Sequence, residues 1–117
     1  MKRIILLIFA GFMITGCSTA YRNIMVQTPD LAQITDGVYR GFYNQSGTPV
    51  RVTLDVHVRD GRITGIEIIQ HRSSSRGKRA ESIVETVVKR QSLEVDAIGG
   101  ATASSNAILK AIEIALQ

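Results

Sequence analysis

The chain has 117 residues, 44% of them apolar and 21% charged, with 14 Lys and Arg against 10 Asp and Glu for a net charge of +4. That length supports one domain, the apolar fraction argues against wholesale disorder, and a single cysteine excludes a disulfide framework and disfavours a cysteine-based metal site. A sequence pI near 9.6 raises nucleic-acid or anionic-surface binding, which only the placement of the charges can answer.

Lys2 and Arg3 precede an apolar run over residues 4–14, and Thr15 and Gly16 follow it. This is the anatomy of a secretory signal, because the run is too short to cross a hydrocarbon core of about 30 Å, which takes roughly 20 residues. The stretch Ile14, Thr15, Gly16, Cys17 resembles a bacterial lipobox, where the chain is cut before a cysteine that receives a lipid anchor. An ordinary cleaved signal with an incidental cysteine is the alternative. Removing 16 of 117 residues leaves 101, and losing Lys2 and Arg3 from 14 cations leaves 12 against 10 carboxylates, a net charge of +2. Acyl chains contribute about 0.8 kcal/mol per buried methylene, so two or more would hold the protein on a lipid bilayer. Residues 17–34 contain Pro29 and show no clear period, and read as a lipidated N-terminus and tether with at most a short helical piece. Residues 35–117 then form one domain in the cell envelope, facing outside the cytoplasm.

Residues 37–43 read as a first strand carrying Tyr39, Phe42 and Tyr43, followed by a loop at 44–49. Val50, Val52, Leu54, Val56 and Val58 alternate with Arg51, Thr53, Asp55, His57 and Arg59, the period of a strand with one buried face. Asp60 and Gly61 supply a tight turn into a second hairpin strand over 62–69. Ile63 lies in one phase and Ile66 and Ile68 in the other, which predicts a bulge at Gly65. Residues 71–79 are rich in Ser, Arg and Lys and read as a mobile loop. Ala80, Ile83, Val84, Val87 and Val88 then recur at helical spacing over about three turns. A last helix carries Ile108, Ala111, Ile112, Ala115 and Leu116 and begins near Ser104 or Ser105, both competent N-caps. The fold class is α+β: a small antiparallel sheet with two helices after the hairpin.

The turn before the last helix holds Gly99, Gly100 and Ala101, then the hydroxyls of Thr102, Ser104 and Ser105. Glycines let a ligand approach the backbone, and the first turn of a helix presents unpaired N–H groups, so the arrangement suits a phosphate. On the residues alone a plain turn and cap is the commoner explanation, since Ser or Thr before a helix is more often a cap than a ligand-binding residue. No Gly-Lys-Ser or Gly-Lys-Thr follows, which disfavours a nucleoside triphosphatase.

The string from Asp96 through Gly99, Gly100, Ala101, Thr102, Ser104 and Ser105 resembles the signature of FMN-binding domains. These domains occur in subunits of sodium-pumping and Rnf-type electron-transport complexes and in small flavinylated lipoproteins. The signature has Asp, two free positions, Ser or Thr, Gly, Ala, then Thr or Ser. The resemblance extends to Asp36, Gly37, Tyr39 and Gly41, to the Asp60–Gly61 turn, and to Gln91, Ser92 and Val95. It implies that FMN is the cofactor and that a flavin transferase joins its phosphate to the Thr102 hydroxyl as a phosphoester, with Asp96 serving the loop or the transferase. Gly99 departs from the pattern, which has a hydroxyl there, and keeps a reversible FMN-binding domain serving a reductase open beside the covalent one. A flavin-free envelope lipoprotein with a binding or structural role is the third reading.

A flavin carries its own redox chemistry, so such a chain needs no catalytic residue or metal, and it reads as an electron carrier for membrane redox partners rather than a stand-alone enzyme. Tyr39, Phe42 and Tyr43 at strand spacing read as packing before they read as a flavin face. His57 and His71 lack ligand-type neighbours in sequence. Arg72, Arg76, Lys78 and Arg79 read first as a solvated basic loop, and the few aromatics left after cleavage speak against nucleic acid as a partner.

Overall fold

The computed structural model describes residues 26–117. The signal, the lipobox-like stretch and Cys17 lie outside the described residues. Three strands, β1 (Gly37–Asn44), β2 (Arg51–Arg59) and β3 (Arg62–Arg72), form an antiparallel sheet in the order β1-β2-β3. Helices α1 (Ile83–Arg90) and α2 (Thr102–Ala115) follow the hairpin, as the sequence pattern requires.

One sheet face is the core. Val52, Leu54 and Val56 on β2 are fully buried, with Val58 and Ile63 nearly so, against Ala107, Ile108, Ala111 and Ile112 of α2 and Ile83 and Val87 of α1. Complete burial of a Val, Leu or Ile side chain contributes roughly 1.5–3 kcal/mol, so this stripe carries most of the folding drive. Tyr39 and Tyr43 pack against that core from β1, while Phe42, one residue out of phase, is 55% exposed on the opposite face.

α2 crosses β1 at Gly41. A side chain there would put its Cβ 1.9 Å from the Ala111 carbonyl oxygen and 2.9 Å from the Ala115 Cβ, so only glycine permits the contact.

The hairpin bulge falls one residue earlier than expected. Val58 pairs with Ile63 and His57 with Gly65, leaving Thr64 as the extra residue. Gly65 keeps its partner, and the Thr64 hydroxyl bonds back to the His57 carbonyl at 3.3 Å, which steadies the unpaired position. A second irregularity follows: Leu54 pairs with Ile68 and Thr53 with Gln70, so Ile69 is skipped and left 47% exposed.

Residues 71–79 are more ordered than a mobile loop. β3 extends to Arg72, and a 3-10 helix at Gly77–Ser82 leads directly into α1. Gly77, Ala80 and Ile83 recur every third residue and are buried, the period of a 3-10 turn. α1 itself is therefore only eight residues long, and the expected three-turn helix divides into a 3-10 and an α portion.

Residues 26–34 carry the short helical piece that the sequence allows and also bond to the domain. The Gln27 N–H donates to the Glu113 carboxylate, the Leu93 N–H donates to the Thr28 hydroxyl at 2.9 Å, and a 3-10 turn at Leu31–Gln33 sits over Gly61. Glu113 is only 7% exposed. Burial alone would raise its pKa, but hydrogen bonds from Lys110 and the Gln27 amide outweigh that and hold it below the ordinary value. Gln27 thus lies beside the C-terminal half of α2.

Candidate functional site at the N-terminus of α2

α2 begins at Thr102, not at Ser104 or Ser105, and its N-cap is Ala101, which offers no side-chain hydrogen bond. The two serines are displaced from the capping role because they are buried in the first turn, at 2% and 0% exposure. The Ser105 hydroxyl reaches back to accept the Ile98 N–H at 3.0 Å. The Ala101 N–H bonds the Ile98 carbonyl at 3.0 Å, closing the turn that reverses the chain. Gly100, at φ 78°, supplies the left-handed residue this turn needs.

The outer side of the turn is open. Gly99 and Gly100 are exposed, and a Cβ built on either meets no atom within 4 Å. A hydroxyl residue at position 99 would therefore be accommodated without strain against neighbours. Thr102 is exposed as the first helical residue, and Asp96 is exposed upstream. An α-helix leaves its first N–H groups without intrahelical partners, and no capping side chain closes this end. Open glycines, free amide donors at the positive end of the helix dipole and one exposed hydroxyl fit a phosphate group.

The predicted residues accordingly divide. Thr102, Gly99, Gly100 and Asp96 are exposed, whereas Ala101, Ser104 and Ser105 are buried and shape the turn from below.

Gly77 escapes a reading by motif alone, and Gln91, part of the resemblance, gains a structural role. Gly77 lies against the first turn of α2: a Cβ on it would come within 2.5 Å of the Ser104 hydroxyl and 2.6 Å of the Ser73 hydroxyl. Its signal in the sequence is the three-residue period it shares with Ala80 and Ile83. Gln91, left-handed at φ 53°, ends α1 and pairs its side-chain amide with both the N–H and the carbonyl of Ile63, at 2.7 and 2.8 Å. It thereby tethers the start of the 91–101 connection to the sheet. The remaining candidates are structural or remote. His71 is buried and bonds Glu81 at 3.0 Å, while His57 pairs in register with Val38 and Gly65 on the sheet face away from the helices.

Comparison with known proteins adds three findings. The sequence profile described as the FMN-binding domain matches residues 46–117. An uncharacterised protein of Treponema pallidum is 31% identical over 88 residues, an alignment covering 74% of this chain and 24% of that protein, so the chain spans about a quarter of its relative's length. A crystal structure of a protein from Clostridium perfringens shares the fold, with a TM-score of 0.53 at 21% identity over 71% of this chain and 86% of that one.

Proposed function

The chain belongs to the FMN-binding domain family, and from that premise we propose that it is a membrane-anchored electron-transfer domain outside the cytoplasm, carrying FMN as a phosphoester on Thr102. The observation that carries this reading is the exposed Thr102 hydroxyl at an uncapped helix start behind two open glycines. The lipobox-like residues before Cys17 support the anchor.

Each residue of the turn has a separate task. Gly99 and Gly100 keep side chains out of the phosphate's approach, and the first amides of α2 face its negative charge. Ser105 holds the Ile98 amide and so fixes the path of the turn. Thr102 contributes the bond itself: its oxygen attacks the flavin-side phosphorus of FAD, the diphosphate bond breaks, AMP leaves, and the threonine proton passes to the flavin transferase. Once attached, the flavin supplies the redox chemistry.

Co-expression with a flavin transferase tests this. The intact mass is expected to rise by one FMN less one water, and Thr102→Ala is expected to abolish the increase without lowering the melting temperature. An unmodified chain, alongside a second substrate that the same transferase does modify, overturns the covalent attachment. Flavin that binds but is lost on acid precipitation assigns reversible binding instead.

A further inference from the structure

The four cations of residues 72–79 do not form one group. Arg72 pairs in register with Arg51, an exposed β2 position flanked in sequence by buried Val50 and Val52, so both arginines lie on the sheet face away from the helices. Lys78 and Arg79 lie on the 3-10 segment whose buried Gly77 and Ala80 face inward, and Arg76 is the residue that precedes it. All three are exposed, and the ion pairs among the described residues, Arg40–Asp55, His71–Glu81 and Lys110–Glu113, use none of them. Gly77 presses this segment onto Ser104, two residues beyond Thr102, so closely that no side chain fits between them.

We infer that Arg76, Lys78 and Arg79 form a cationic wall beside the Gly99–Thr102 turn that recognises the phosphate of FMN and the diphosphate of FAD, giving the site preference for phosphorylated flavins over riboflavin. The inference rests on the reading of that turn as the flavin-phosphate seat. Cations free of carboxylate partners attract an incoming dianion undiminished, and their field reaches about 8 Å at physiological salt. Two carboxylates oppose them, Asp96 on the turn's approach and Glu81 on the same segment, and Glu81 is already engaged by His71. The Gly77 contact fixes the backbone that carries the three cationic side chains relative to the helix start.

The test uses the full chain produced without a flavin transferase, titrated separately with FMN and with riboflavin while flavin fluorescence is followed. The native chain is expected to prefer FMN, and added salt to erode that preference. Replacing Arg76, Lys78 and Arg79 together by Gln is expected to weaken FMN binding about tenfold and to leave riboflavin binding within about twofold. Arg72→Gln, on the other sheet face, is expected to change neither. A triple variant that melts like the native chain and keeps the full FMN preference overturns the inference, as does an equal loss produced by Arg72→Gln. Absence of saturable binding of either flavin to the native chain overturns the underlying reading of the turn instead. Should the triple variant melt lower, Lys78→Glu alone provides the comparison: weakened FMN with unchanged riboflavin binding supports the wall, and unchanged FMN binding overturns it.

Discussion

The two ends of α2 solve the same problem in opposite ways. At its C-terminal end the Leu116 N–H reaches the carbonyls of Ile112 and Glu113, the Gln117 N–H reaches that of Ile114, and Glu113 is closed over by Lys110 and the Gln27 amide. At its N-terminal end the cap is an alanine, the flanking glycines stand in open space, and no side chain answers the first amides. Helix ends carry orphan groups that cost free energy when left unpaired in a dry environment, so an end left open to solvent has donors to spare for a ligand. One helix thus has a closed end that holds Gln27 and an open end suited to a phosphate.

The contrast breaks most severely at Gly41, on the closed side. A valine there cannot coexist with the Ala111 carbonyl, and α2 must lift from β1. Overpacking of this kind costs about 3 kcal/mol or more. Gly41→Val is therefore expected to collapse the denaturant midpoint and lose flavin only because the fold is lost. Gly99→Ser, in open space, serves as the matched glycine replacement, and urea titration of the two chains should separate them clearly.

Ser105→Ala probes the open end from beneath. It deletes the acceptor of the Ile98 N–H at a fully buried position, which costs about 1–3 kcal/mol. Thr102 keeps its hydroxyl in this variant, so flavin attachment should slow while an intact acceptor is still present. A flavinylation rate equal to that of the native chain would show that the turn keeps its path without Ser105.

Much of this was legible in the sequence, and the misses share a cause. The five alternating residues Val50 to Val58 define β2 because period two and burial of one face are both local properties. The phase change between Ile63 and Ile66 demands a bulge, but which residue is left over depends on the partner strand, and the Thr64 bond to His57 decides it. Ser104 and Ser105 look like caps because their side chains suit that role; Ser104 is instead buried against Gly77 and Ser105 against the Ile98 amide, in the first turn of a helix that starts at Thr102. The split of the basic residues between two faces is likewise a fact of register and of the 3-10 period, invisible in composition. The Thr102 turn stood out in advance because its glycines and hydroxyls are contiguous, whereas the wall beside it is more than 20 residues away along the chain.

The closed end can also be loosened by acid, and the sign follows from the direction of the Glu113 shift. Its pKa in the fold lies below the ordinary value of 4.5, because the Lys110 and Gln27 hydrogen bonds favour the carboxylate more than burial opposes it. A carboxyl with a depressed folded pKa contributes stability that is complete above its unfolded value and is lost as pH falls through the folded one. The Gln27 amide is thus expected to exchange slowly at neutral pH relative to an unstructured amide, and to lose protection as pH falls through the depressed Glu113 value, ahead of the core amides of β2, when exchange is corrected for its intrinsic pH dependence. Glu113→Gln should remove most of that pH dependence while costing only about 1 kcal/mol, since a neutral amide still accepts from Gln27. Flavin attachment to Thr102 should be unchanged in this variant. Loss of attachment together with the N-terminal contact would mean that the two ends of α2 are energetically coupled, and that the closed end shapes the open one.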